Sequence, residues 1–151
     1  MKYNPFTNIV FLSAILLVFI GILLISNFKT ANVVLEYEEN FNIGQQLGGK
    51  LSITIEPSDS IEASTPISVS LSKGREILAV ETLTFNEFIK MSSNPVSPTE
   101  KNGNLYYETP GTYSVDTSSI INYKFTEKGE YELFFSLLKL DLNIKKRIIV
   151  R

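Results

Sequence analysis

The side chains able to carry chemistry in this sequence are its carboxylates, since it holds no Cys and no His. That composition removes thiolate and imidazole metal sites, Cys and Ser-His nucleophile systems, and imidazole acid–base catalysis. Sixteen Asp and Glu stand against fourteen Lys and Arg, for a formal net charge of -2. Glu36 and Glu38 lie two apart and share a strand face; Asp59 and Glu62 flank one turn, Asp116 follows another, and Glu127, Glu130 and Glu132 crowd a third. Two carboxylates make a glycoside hydrolase when burial raises one pKa and the separation is right. None of these lies in an apolar pocket motif, and there is no Trp to serve as a sugar platform. Solvated turns and strand faces are therefore expected, with no catalytic residue and no cofactor; a carboxylate-based hydrolase is an alternative. A weak calcium-binding module is another: it would need Asp59, Glu62, Asp116 and Glu127 to converge at one end of the domain, without an EF-hand register.

Two further stretches invite a chemical reading. IGQQLGGK, residues 43–50, suggests a phosphate loop, but Leu51 follows Lys50 and leaves the GxxxxGK[ST] pattern incomplete. A strand bend or bulge at Gly48-Gly49 is the expectation. The terminal KKRIIVR sets Lys145, Arg147 and Arg151 on one strand face, with Lys146 opposite. The plain reading is a wet charged face; the sharper one is attachment to anionic lipid, another subunit or an envelope polymer. Nucleic acid is not expected, because the surrounding field is acidic.

The elements that must position these residues read mostly as strands. Val33, Leu35 and Tyr37 alternate with polar neighbours, as do Leu51, Ile53 and Ile55, and then Ile67, Val69 and Leu71. Period-two alternation places one face on a core and one in water. Turn signals separate the runs: Pro57-Ser58-Asp59-Ser60, Lys73-Gly74, Asn102-Gly103 as the centre of a type I′ hairpin, and Pro110-Gly111. Thr84-Phe85-Asn86-Glu87 has capping-box spacing and predicts a short helix through Lys90, with Phe85, Phe88 and Ile89 on its apolar face. Seven to nine short strands over residues 33–151 predict an all-β domain, a single antiparallel β-sandwich, with a barrel as the alternative.

Ahead of this domain, Ile9 to Ile25 reads IVFLSAILLVFIGILLI, and no charge interrupts the chain between Lys2 and Lys29. At 1.5 Å per residue the run spans roughly 26 Å, near the lower end of what crosses a bilayer. Its length and the poor cleavage context of SNFKTAN favour an uncleaved signal-anchor over a removed signal peptide. The expected organisation is a leader at 1–8, a transmembrane helix at 9–26, a linker at 27–32 and the β domain at 33–151. The short leader places the amino terminus in the cytoplasm and the carboxy-terminal domain outside, in a single-pass cell-membrane protein.

FTEKGEYEL, residues 125–133, resembles the approach to the penultimate strand of immunoglobulin-like and fibronectin-type surface domains, in the spacing Glu127-x-Gly129-x-Tyr131. The resemblance implies immunoglobulin-like topology, with Tyr131 as the corner residue whose hydroxyl bonds nearby backbone, and Gly129 as the tight turn before it. The chain departs from antibody domains in having Leu133 where the second Cys would lie and no Trp. The arrangement of leader, apolar helix and Cys-free domain is similar to membrane-anchored surface proteins of prokaryotes. It implies a non-enzymatic surface domain that contacts the bilayer through residues 9–26 and a protein or envelope polymer through the rest. A filament subunit like a pilin is the alternative, disfavoured because the leader lacks a prepilin cleavage pattern.

Overall fold

The computed structural model describes residues 32–36, 39–140 and 142–151. The leader, the apolar segment 9–26, most of the linker, Tyr37 and Glu38 lie outside the described residues, and no described helix is long and apolar enough to cross a membrane. In chain order the elements are β1 (Asn32–Glu36), β2 (Asn40–Phe41), β3 (Lys50–Ile55), β4 (Ile61–Glu62), β5 (Pro66–Lys73) and β6 (Glu76–Thr84). Helix α1 (Phe85–Met91) precedes β7 (Thr99–Lys101), β8 (Asn104–Tyr107) and β9 (Gly111–Asp116). Then come α2 (Thr117–Ile120), β10 (Gly129–Leu137), a 3-10 turn (Leu138–Leu140) and β11 (Leu142–Val150).

These elements correct the expected architecture. The chain is not a single all-β sandwich of immunoglobulin-like topology; it is a mixed α/β fold with three separate, unclosed sheets. Their orders are β1-β3-β9, β2-β11-β10-β5-β6 and β4-β8-β7. Nor is every pairing antiparallel, since β2 runs parallel to the end of β11, Asn40 opposite Ile149. Alternation misleads here for a physical reason: it reports which face of a strand is dry, and three sheets around one core satisfy it as well as two. Residues 121–128 also depart from the strand pattern. They form a loop whose backbone clasps residues 43–47, through Gly44 N–H to Phe125 O and Leu47 N–H to Tyr123 O. Gly48 and Gly49 stand in that connection ahead of β3, with Gly49 at φ 126°, not in a bulge within a strand.

The core is assembled from the alternating faces. Leu51, Ile53 and Ile55 of β3 are buried, as are Ile67, Val69 and Leu71 of β5 and Leu133, Phe135 and Leu137 of β10. Burying each such side chain contributes about 1.5–3 kcal/mol before chain entropy is charged against it. Helix α1 closes over this core with Phe85, Phe88 and Ile89, all fully buried. Its capping box is complete: the Glu87 N–H donates to Thr84 Oγ1, and the Thr84 N–H donates to the Glu87 carboxylate at 2.7 Å. Ser92 ends it, donating its hydroxyl to Ile89 O, ahead of the Asn94-Pro95 step that disfavours helix. Phe85 N–H to Thr65 O and Asn86 N–H to Ala63 O bolt the helix to the β4–β5 connection.

Strand β6 is one edge of the five-stranded sheet, with β5 as its neighbour. The β5–β6 register shifts between Leu71 and Ser72, which face Ala79 and Ile77, so Leu78 is an extra residue. A bulge resets the alternation. Ile77 and Val80, three residues apart, therefore both turn outward and are 67% and 57% exposed, while Leu78 and Ala79 are half-buried.

Candidate functional site

The entry to β10 is closed by a bond from a side chain to the backbone just before the strand. The Tyr131 hydroxyl donates to Glu127 O at 2.8 Å, and Gly129 between them has φ 142°, a conformation that side chains rarely adopt. The buried Tyr131 ring meets Phe125 edge-on at 5.0 Å, and Lys73 Nζ lies 5.3 Å from its centroid. Lys73 also pairs with the Glu127 carboxylate at 2.6 Å; this bond lowers the Glu127 pKa and raises that of Lys73.

The same device occurs a second time. The Tyr113 hydroxyl donates to Thr109 O at 2.9 Å, and Gly111 between them has φ 154°. Thr109-Pro110-Gly111-Thr112-Tyr113 thus matches Glu127-Lys128-Gly129-Glu130-Tyr131 in spacing and in geometry, at the starts of β9 and β10. Sequence reasoning missed Tyr113 although its signal, x-Gly-x-Tyr opening a strand, was present. Burial raises the Tyr113 pKa.

The carboxylates serve as struts. Glu62, on β4, accepts from Lys139 and from the Ser64 hydroxyl, and the Lys139 bond is the main cause of its lowered pKa. Glu130 pairs with Arg147 and Glu132 with Lys145 across β10 and β11, so two cations on the basic face of the last strand are partnered by its neighbour. In the β1-β3-β9 sheet, Glu36 and Asp116 stand on either side of Lys50. Opposite charges on adjacent strands stabilise modestly. Asp59 is buried in the turn after β3, where the Glu56 N–H donates to Oδ2 at 3.0 Å while Oδ1 has no partner. The calcium candidates Asp59, Glu62, Asp116 and Glu127 are not gathered into one shell; among the described residues no three acidic side chains are placed to hold a metal.

Two of the open clefts are adjacent to one another beside α1 and α2. The larger, about 330 Å³, is lined by Lys50, Ser114, Asp116, Met91 and Ser119 among others. The smaller, about 130 Å³, is lined by Glu81, Thr82, Leu83, Met91, Ser119 and Ile120. Met91 and Ser119 are common to both, so they form one surface running from the edge strand β6 past α1 to the edge strand β9. Met91 is 43% exposed and supplies a flexible apolar contact between polar groups of both signs.

No protein-family model and no curated protein matches the chain. Among solved structures it is similar to a β-glucosidase from Listeria innocua, at 16% identity and TM-score 0.40, covering 80% of this chain but 16% of that one. It is also similar to the CARDB domain of a Pyrococcus furiosus protein in complex with di-metal ions, at 8% identity and TM-score 0.41, over 82% of this chain and 91% of that chain. A superoxide reductase (neelaredoxin) from Ignicoccus hospitalis is similar at 13% identity and TM-score 0.40, over 82% of this chain and 81% of its own. The three are a hydrolase, a metal-bound module and a reductase. The likeness is a generic one of fold and transfers no chemistry.

Proposed function

We propose that this chain is a membrane-anchored surface protein whose residues 33–151 form a non-catalytic module that binds or spaces a protein or envelope polymer. The observation that carries the reading is a division of apolar residues. Within the described domain a core from Val33 to Val150 is assembled from its own strands and helix, whereas residues 3–28 form a chargeless run of bilayer length. The candidate carboxylates support binding over catalysis, because Glu62, Glu127, Glu130 and Glu132 each hold a Lys or Arg and tie one element to another. The partner surface is the open side along β6, α1 and β9.

The test is fractionation with added protease. Extraction from membranes should require detergent, and protease outside intact cells should cut the carboxy-terminal domain. Release of a chain beginning near Lys29 would replace the anchor with a cleaved signal. Protection of residues 33–151 with an exposed amino terminus would reverse the orientation.

A further inference from the structure

The small sheet β4-β8-β7 caps one end of the molecule. β4 lies on the path from the end of β3, at Ile55, to the start of β5, at Pro66, and β8 leads into the start of β9, at Gly111. The turn Leu138–Leu140 reaches the same end, because Leu137 pairs with Ile67 at the start of β5. So does Asn32, which the register of β1 sets opposite Thr54, one residue before β3 ends. The chain therefore enters the described domain at its capped end. That cap carries two exposed leucines, Leu105 at 46% and Leu138 at 59%. They belong to one patch, since both adjoin residues 62–64. Leu105 O accepts the Ala63 N–H at 2.8 Å, and Lys139, beside Leu138, bonds the Glu62 carboxylate and the Ser64 hydroxyl. Lys101 pairs with Glu108 as Lys139 pairs with Glu62, so these two lysines bring no net charge to it.

We propose that Leu105 and Leu138 seat this capped end in the interfacial layer of a lipid bilayer, the one that residues 9–26 span on the anchor reading above, on which this inference rests. The length of the tether selects the occupant. Only residues 27–31 separate the apolar segment from Asn32, and a stretch of that length reaches at most roughly 18 Å when fully extended. The membrane surface is thus the nearest apolar phase to the end of the domain where the chain enters. Each leucine that crosses the headgroup boundary removes apolar surface from water, while the stems of Lys101 and Lys139 lie along the boundary with their ammonium groups in the wet layer. With both lysines matched by glutamates, the seat is held by apolar burial and does not require anionic lipid.

The chain has no Cys, so a single introduced one carries a unique label. The experiment places a nitroxide at Leu105→Cys, Leu138→Cys or Ile77→Cys of the full chain in phosphatidylcholine nanodiscs, with circular dichroism to show that each variant is folded. Spin resonance then compares collisions with oxygen, which concentrates in lipid, against those with a neutral nickel chelate in water. Ile77 is the control: it is exposed and lies roughly 20 Å along β6 from Thr84, the residue of that strand at the capped end. The oxygen-to-nickel ratio at 105 and at 138 should be several-fold above that at 77, and unchanged when phosphatidylglycerol is added to the discs. Leu105→Asp in the Leu138→Cys chain should lower the ratio at 138 toward that at 77, because the two leucines share one seat. A chain that does not elute with the discs would overturn the anchor reading and the seat with it. A chain that does elute, with labels at 105 and 138 as open to nickel as the label at 77, would overturn the seat alone. So would lipid contact that appears only with phosphatidylglycerol, or a label at 138 indifferent to Leu105→Asp.

Discussion

At the scale of single residues, the two tyrosine corners carry the clearest consequences. Tyr131→Phe removes only the bond to Glu127 O and should cost about 1 kcal/mol in denaturant unfolding. Tyr131→Ala also opens a cavity beside Phe125 and Tyr123 and should cost about 3–5 kcal/mol. If the second corner is equivalent, Tyr113→Phe should lose about as much as Tyr131→Phe. Equal stability of Tyr113→Phe and wild type would make that bond incidental. Gly129→Ala forces a Cβ into φ 142° and to within 3.0 Å of the Lys73 side chain, so it should destabilise by more than about 1 kcal/mol. Tyr131 and Gly129 were legible because their spacing is local. Asp59 was not: its turn reads as solvated, and only the fold shows the carboxylate buried against the Glu56 N–H.

At the scale of elements, α1 was readable because a capping box is fixed by side chains three residues apart. Thr84→Ala removes the N-cap acceptor and should cost about 1 kcal/mol. The box also makes a pH prediction. The Thr84 N–H, followed by its hydroxyl, holds the Glu87 carboxyl below the usual range. A depressed folded pKa contributes stability that is present above the unfolded value, about 4.3, and is lost as pH falls through the lowered value. The unfolding midpoint should therefore drop between about pH 5 and pH 3, and the drop should be shallower in Glu87→Gln. An identical acid slope in the variant would show that Glu87 contributes nothing there. The β6 bulge was illegible for the opposite reason. It exists only in the pairing of Leu71 and Ser72 with Ala79 and Ile77, and no local pattern announces it.

At the scale of the whole molecule, alternation located the dry faces of β1, β3 and β5 but not their grouping, because pairing is decided by residues far apart in sequence. Gly129 facing Val150 and Lys50 facing Asp116 are such choices. On the proposed reading residues 33–151 are a folded unit carried by a separate apolar segment, and a domain of about 120 residues buries roughly two-thirds of its unfolded surface. Urea unfolding of residues 30–151 in detergent-free buffer, followed by circular dichroism, tests this most directly. A soluble fragment with β-rich ellipticity and one cooperative transition is the predicted result. A fragment that aggregates, or that melts without a transition until residues 1–29 are restored, would contradict it.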